Sequence, residues 1–270
     1  MRAFAYAMRA DFVKYLAEFR YYGFNYLFGA MGSAVLFLGI TAALGQAGHI
    51  SPDAFFKMLM GFMLWWYTMN QMYEMSYLAW EDAVLGTLEH VYMSPTPFGL
   101  VLLSRGISAF LRDTVWFALI ALAIIGVYRL MGGNLYLPSV NWAGVLAVFP
   151  FPVMSALCLG VFFFGLALVF KRVGSATALV QWLLLFFSGV FFDPSSQPLW
   201  MRVLAYATPV GPGAECLRRM VVENMGLAGV LFSDAGLILI LNLAGYAAFG
   251  FMSLHLFLMI AKRKGKMSRY

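Results

Sequence analysis

An all-α integral membrane protein with six transmembrane helices is the fold class this chain predicts, and three observations carry the prediction. Of its 270 residues, 63% are hydrophobic and only 11% charged, whereas soluble domains are nearer half apolar and a quarter charged. The apolar residues come in runs of about 20, the length that crosses a hydrocarbon layer of about 30 Å at a rise of about 1.5 Å per residue. Those runs are continuous, where a transmembrane barrel would show short alternating segments. The whole chain, 1–270, reads as a single transmembrane domain with an interfacial helix before the first span, a short cytoplasmic helix between spans two and three, and an external re-entrant hairpin between spans five and six.

The first element is an amphipathic helix over 1–22. Phe4, Met8, Phe12, Tyr15, Phe19 and Tyr22 recur at three- and four-residue spacing, and Arg9, Asp11, Lys14 and Glu18 fall mostly between them. That pattern suits a helix lying in the membrane interface, with Arg9, Phe12, Lys14 and Phe19 as its anchors. The mixture of charges is not that of a cleavable signal peptide, which has a short basic start and then an apolar core.

Six spans follow at about 24–44, 55–78, 100–127, 142–169, 174–192 and 235–260. Ser51, Pro52 and Asp53 supply a start signal for the second, with Ser51 as N-cap and Pro52 at the first helical position. Between spans five and six, 193–234 is rich in Pro and Gly and holds two apolar pieces, 199–207 and 214–222, each too short to cross. They predict a hairpin over 193–222 that enters and leaves on one face, its backbone buried in protein or wetted by water.

Orientation follows from Lys and Arg. With the N-terminus inside, five of the 18 (Lys57, Arg129, Arg202, Arg218 and Arg219) lie outside and thirteen lie inside. That bias places both termini in the cytoplasm of a multi-pass protein of the cytoplasmic (inner) membrane, and the hairpin on the far side. The net charge of +6 belongs to this flanking pattern, so membrane lipids and not nucleic acid are the partners it implies.

Little else in the chain suggests chemistry. There is no GxxxxGK[ST] phosphate loop, no HExxH metal motif and no GxSxG nucleophile elbow, so no catalytic residue, metal site or bound cofactor is expected. Cys158 and Cys216 form no CxxC pair and read as inert interior thiols. Glu74, Asp113 and His255 are the ionisable residues inside or beside spans, and interhelical polar contacts are their ordinary use.

The stretch 80–94 is the exception. Val84, Leu85, Leu88, Val91 and Tyr92 share one helical face, Asp82 and Glu89 stand on the other with Glu81 beside them, and Ser94-Pro95-Thr96-Pro97 stops the helix. The pattern predicts a three-turn helix against the inner membrane face, presenting acid to the cytoplasm.

Glu81 followed by Gly86-Thr87-Leu88-Glu89 and then Ser94-Pro95 resembles the segment after span two in ABC-2 type transporter permeases. Ser188-Gly189-Val190-Phe191-Phe192, then Pro198 and Trp200, then Thr208-Pro209-Val210 and Glu215-Cys216-Leu217-Arg218, are similar to that family's segment between spans five and six. Thr208 departs from the Asn that commonly precedes the proline there. Together with the span count and the interfacial helix, the likeness covers nearly the whole chain.

The resemblance implies a half-assembly. A second permease copy, as a homodimer, would complete the path, and two copies of a separate ABC ATPase subunit would carry ATP and Mg. The stretch 80–94 would be the coupling helix, with Glu81, Asp82, Gly86, Thr87, Glu89 and His90 docking the ATPase. Spans two and five would face the partner permease, which nominates Met69, Tyr73, Gln181, Leu185, Phe187 and Phe191 for the path. Pro198, Trp200, Pro209, Glu215 and Arg218 would shape the external hairpin. The chain itself would not be an enzyme. Its cargo would be hydrophobic or amphipathic: a drug-like or natural-product molecule, or else a lipid-linked saccharide or polysaccharide. An ion-gradient-driven secondary transporter is the reading from another class.

Overall fold

The computed structural model describes residues 2–46, 52–130, 142–190 and 197–264. Among these the chain is entirely helical: α1 Arg2–Gln46, α2 Pro52–Val84, α3 Leu88–Tyr92, α4 Phe98–Leu130, α5 Trp142–Val148, α6 Pro150–Phe170, α7 Gly174–Phe187, α8 Leu199–Ala207, α9 Val210–Val222, α10 Leu227–Leu231 and α11 Asp234–Arg263.

Among the described residues, four helical segments are long and apolar enough to cross a membrane: Met8–Ala43, Phe98–Leu130, Trp142–Phe170 and Asp234–Arg263. The third joins α5 and α6 across Phe149, where Pro150 and Pro152 allow the chain to re-enter a helix but not to continue one hydrogen-bond ladder. Helix α6 carries no charged residue and is buried for most of its length, as expected of a central helix that is apolar all round. It packs on α11 and α2.

Small residues bring these helices close. A Cβ at Gly250 of α11 would lie 2.2 Å from the Cys158 carbonyl oxygen of α6, so backbone meets backbone there. Without a hydrophobic driving force between helices in lipid, such close contact is a main source of association.

Helix α2 is not among the four because its middle is built of Trp, Tyr, Met, Asn and Gln instead of aliphatic residues. It is nevertheless the hub. Phe62, Leu64, Trp65, Tyr67, Met72 and Met75 are buried against neighbours, and α4, α6, α7 and α9 all pack on it. Trp65 Nε1 donates to the Gln181 carbonyl (2.9 Å), and Gln181 Nε2 donates to the Met69 carbonyl (2.9 Å), fastening α7 to α2.

Several boundaries differ from the sequence reading. The interfacial helix and first span form one helix whose regularity breaks at Tyr22 (φ −115°, ψ 16°), beside Gly23. The stretch expected to be the fifth span, 174–192, gives only α7, which ends at Phe187; its 14 residues amount to about 21 Å at 1.5 Å per residue. Ser188 closes α7 and Gly189 turns the chain with φ 75°.

The proposed three-turn helix over 80–94 is absent. Helix α2 runs on through Glu81 and Asp82 to Val84, Gly86 takes φ 70°, and only α3, one turn long, follows. Gly86 interrupts the helix because its lack of a Cβ makes a positive φ cheap exactly where Thr87 folds back. Ser51, Phe191 and 193–196 lie outside the described residues.

The predicted hairpin contains two helices. Pro198 begins α8, and Pro209 separates it from α9. Thr208 Oγ1 donates to the Ala205 carbonyl (2.7 Å) and accepts from Gly211 N (3.0 Å), holding the corner. Helix α9 is sunk among α2, α5 and α11, with Val210, Cys216, Leu217 and Met220 fully covered. Burial raises the Cys216 thiol pKa to about 12, which keeps it protonated and inert.

Candidate functional site

Most charged side chains near the α2–α4 connection are spent on one another. Lys14 of α1 donates to Glu81 at the end of α2 (2.7 Å). Arg105 of α4 pairs with Asp82, which also accepts from Thr87 Oγ1 (3.1 Å). Deeper along the bundle, Arg112 donates to Glu74 (3.2 and 3.3 Å) and to Asp113 (3.0 Å), and Tyr15 Oη donates to Glu74 (2.9 Å). The Arg112 guanidinium also lies 4.4 Å from the Tyr15 ring centroid.

Two of the acidic residues expected to face the cytoplasm are engaged in this network. Glu81 and Asp82 belong to α2 and hold α1 and α4 against it, with Asp82 buried. Glu89 is not on their helix, because the Gly86 turn rotates α3 away. Glu89 and His90 are exposed, as are Leu85 and Met93 (66% and 72%).

That exposed tip is firmly seated. Leu88 is buried beneath it with Leu78, Ala79 and Leu102, and Tyr92 packs on Phe98 and under Lys262 of α11, whose Nζ is 4.4 Å from the ring. Three attachments, Asp82–Arg105, Leu88 and Tyr92–Lys262, fix a knob whose outer surface is apolar and acidic.

Between α1 and α2 lies a cleft of about 640 Å³. It exists because α1 leans on α4 and touches α2 chiefly at two polar points. At one end are Lys14–Glu81 and Tyr15–Glu74; at the other, Trp66 Nε1 donates to Ser33 Oγ (3.1 Å). From Glu81 to Trp66, α2 rises about 22 Å at 1.5 Å per residue, so the cleft runs from a charged base to an aromatic end. One wall holds the stacked Tyr26–Trp116 pair (5.5 Å) and the other the stacked Tyr73–Tyr77 pair (5.9 Å). Tyr73 and Tyr77 also border a second cavity of about 330 Å³, beside Lys171 and Arg172 at the α6–α7 turn.

The nominated path residues separate. Met69 and Tyr73 line the larger cleft, whereas Gln181 and Leu185 are buried in the α2–α7 contact and Phe187 packs edge-on to Trp200 (6.3 Å). Of the interfacial anchors, Arg9 and Phe12 are exposed, Lys14 bonds Glu81, and Phe19 lies against Trp116 at 5.3 Å. On α9, Glu215 accepts from Arg218 (2.6 and 2.8 Å) and Arg219 (2.9 Å). Burial pushes the Glu215 pKa up, but the bonds from the two arginines outweigh it and hold the carboxyl below its usual range.

Sequence reading nominated Met69 and Tyr73 but missed the α1 side of the cleft, although Asn25 sits where a span facing lipid would be plainly aliphatic. Among the described residues no group of three His, Cys, Asp or Glu is placed to hold a metal. No protein-family model matches the chain, and no curated protein matches it.

Proposed function

We propose that this chain is the permease subunit of an ATP-driven exporter of the ABC-2 type, working as a pair of copies with two ATPase subunits. It would move a hydrophobic or amphipathic molecule, drug-like or a natural product, out across the cytoplasmic membrane, with both termini inside. In this reading α2 is the second span and α7 the fifth, while α8 and α9 form the external re-entrant hairpin.

One observation carries the reading. The α2–α4 connection is anchored to three helices, yet turns Leu85, Glu89, His90 and Met93 outward. A loop that only joined two spans would not need an apolar, acidic tip on a rigid mount. Such a tip suits insertion into a cleft of a soluble motor, where its displacement would pass directly to α2, α4 and α11. The coupling element is then the exposed part of 85–93, with Glu81 and Asp82 acting behind it as braces.

The aromatic and amide lining of the cleft equally suits the ring faces and hydroxyls of a lipid-linked saccharide, the second reading of the cargo. An ion-driven secondary transporter predicts flux without ATP.

A photo-crosslinking residue at Leu85, in the chain expressed in its own cells, tests the assignment. The expected adduct yields peptides of a subunit bearing a GxxxxGK[ST] loop. Adducts with lipid alone, or ion-driven flux by the purified chain in vesicles lacking ATP, would overturn it.

A further inference from the structure

The geometry points to the α1–α2 cleft as a binding site for an amphipathic organic cation, its protonated amine held at Asp113 and its apolar body lying along the aromatic walls. This rests on the proposed export function and names the chemical class of its cargo.

Charge comes first. Four carboxylates line the cleft, Glu18, Glu74, Glu81 and Asp113, against two cations, Lys14 and Arg112. Both cations are already committed: Lys14 to Glu81 and Glu18 (2.7 and 3.7 Å), and Arg112 to Glu74 and Asp113. An anionic ligand would meet an excess of negative charge. A cation would offset that excess.

The second observation is a missing partner. Asp113 is 3% exposed and gives only Oδ1 to Arg112, while its Oδ2 is buried without a hydrogen-bond partner. A buried acceptor left unsatisfied is costly, and most such groups in folded proteins are paired. Asp113 belongs to the cleft wall, and because its Oδ2 has almost no accessible surface, an N–H donor arriving in the cleft would complete it once the carboxylate turned toward the cleft.

The third is shape. The volume is that of a site for a drug-sized molecule. Cations favour aromatic faces, and Tyr26–Trp116 and Tyr73–Tyr77 present such faces on opposite walls. The charged groups cluster at one end and Trp66 lies at the other, so a ligand polar at one end and apolar at the other matches the gradient along the cleft.

The test is direct binding by the purified full chain in phosphatidylcholine nanodiscs, with no ATPase present. Rhodamine 6G, a fluorescent cation with N–H donors, is titrated and its anisotropy followed. Saturable binding is expected, displaced by 4-phenylbutylamine at concentrations at least tenfold below those needed for 4-phenylbutanol, the neutral molecule of the same skeleton. Asp113→Asn should raise Kd at least tenfold, because the amide places a donor where the ligand needs an acceptor. Tyr73→Ala, which alters a half-exposed ring, and Glu18→Gln should each raise it severalfold with thermal stability unchanged; these two decide the matter if Asp113→Asn does not fold. Absence of saturable binding, equal competition by amine and alcohol, or unchanged Kd in the variants would overturn the assignment. Binding here without an ATPase adduct at Leu85 would sink only the exporter reading. An adduct without binding would sink only this one.

Discussion

At the scale of single residues, close packing and buried charge make the sharpest demands. Gly250→Ala puts a methyl 2.2 Å from the Cys158 carbonyl oxygen, a backbone atom that cannot swing aside as a side chain would. Overpacking of this kind costs about 1–3 kcal/mol, and we expect a lower melting temperature in detergent from the separation of α11 and α6. Gly245→Ala, on the same helix with open space around it, should leave the melting temperature unchanged. Glu215 makes a different demand. Its pKa is lowered in the fold, so its contribution to stability is complete above the ordinary carboxyl range and is lost as pH falls through the folded value. Thermal scans from neutral to acid pH should therefore show a loss of stability that is smaller in Glu215→Gln. At neutral pH that variant should be less stable by about 1.5–3 kcal/mol, the worth of hydrogen bonds to a charged group. A wild-type scan flat to pH 3 would contradict the role given to the two arginines.

At the scale of elements, the α2–α4 connection separates into braces and a tip. Arg105→Ala leaves Asp82 buried with one partner, Thr87, and removing one member of a buried pair costs about 3–5 kcal/mol. Glu89→Lys changes an exposed group with no such partner and should leave thermal stability within about 0.5 kcal/mol, the usual range for surface substitutions. The two variants should part again on ATPase capture: Glu89→Lys loses it while stable, and Arg105→Ala loses it only with the fold. A destabilised Glu89→Lys protein that still holds the ATPase would reverse the assignment. Local pattern marked this region as unlike a plain loop but did not give its shape. Heptad spacing put Asp82 and Glu89 on one helical face, and only the positive φ of Gly86 shows that no single helix joins them. Nor does spacing reveal that Glu81 and Asp82 are consumed by Lys14 and Arg105, which are distant in the chain. By contrast, the end of α8 was legible, because Pro209 forbids continuation whatever packs around it.

For the whole molecule, four helices long and apolar enough to cross a membrane, among the described residues, were written in local pattern, whereas the six expected spans also counted α2 and α7, which are not among those four. What pattern cannot show is which helix a span touches, and so α1 leaning away from α2 to leave a cleft had no signal in periodicity. The same limit applies to surfaces. Leu199 at the start of α8 is 74% exposed, and Leu199→Cys should react with an impermeant maleimide from outside intact cells; labelling only after lysis would invert the topology. The face of α7 is the larger question. Leu179, Trp182, Leu183 and Phe186 recur at helical spacing and are all exposed, beside Tyr73 and Tyr77 on the neighbouring α2. At about 21 Å, α7 is too short to span the hydrocarbon layer alone, so this aromatic-rich strip is poorly matched to lipid over its full depth. A second copy related by a two-fold axis would cover the strip with itself, each α7 meeting its symmetry mate. In a chain whose two native cysteines are replaced by serine, Phe186→Cys should then form a disulfide-linked dimer in native membranes, while Leu122→Cys on the exposed side of α4 stays monomeric under the same oxidant. Equal crosslinking at both positions would mean collision in the bilayer, and none at Phe186 together with a dimer in solution would move the interface to another face.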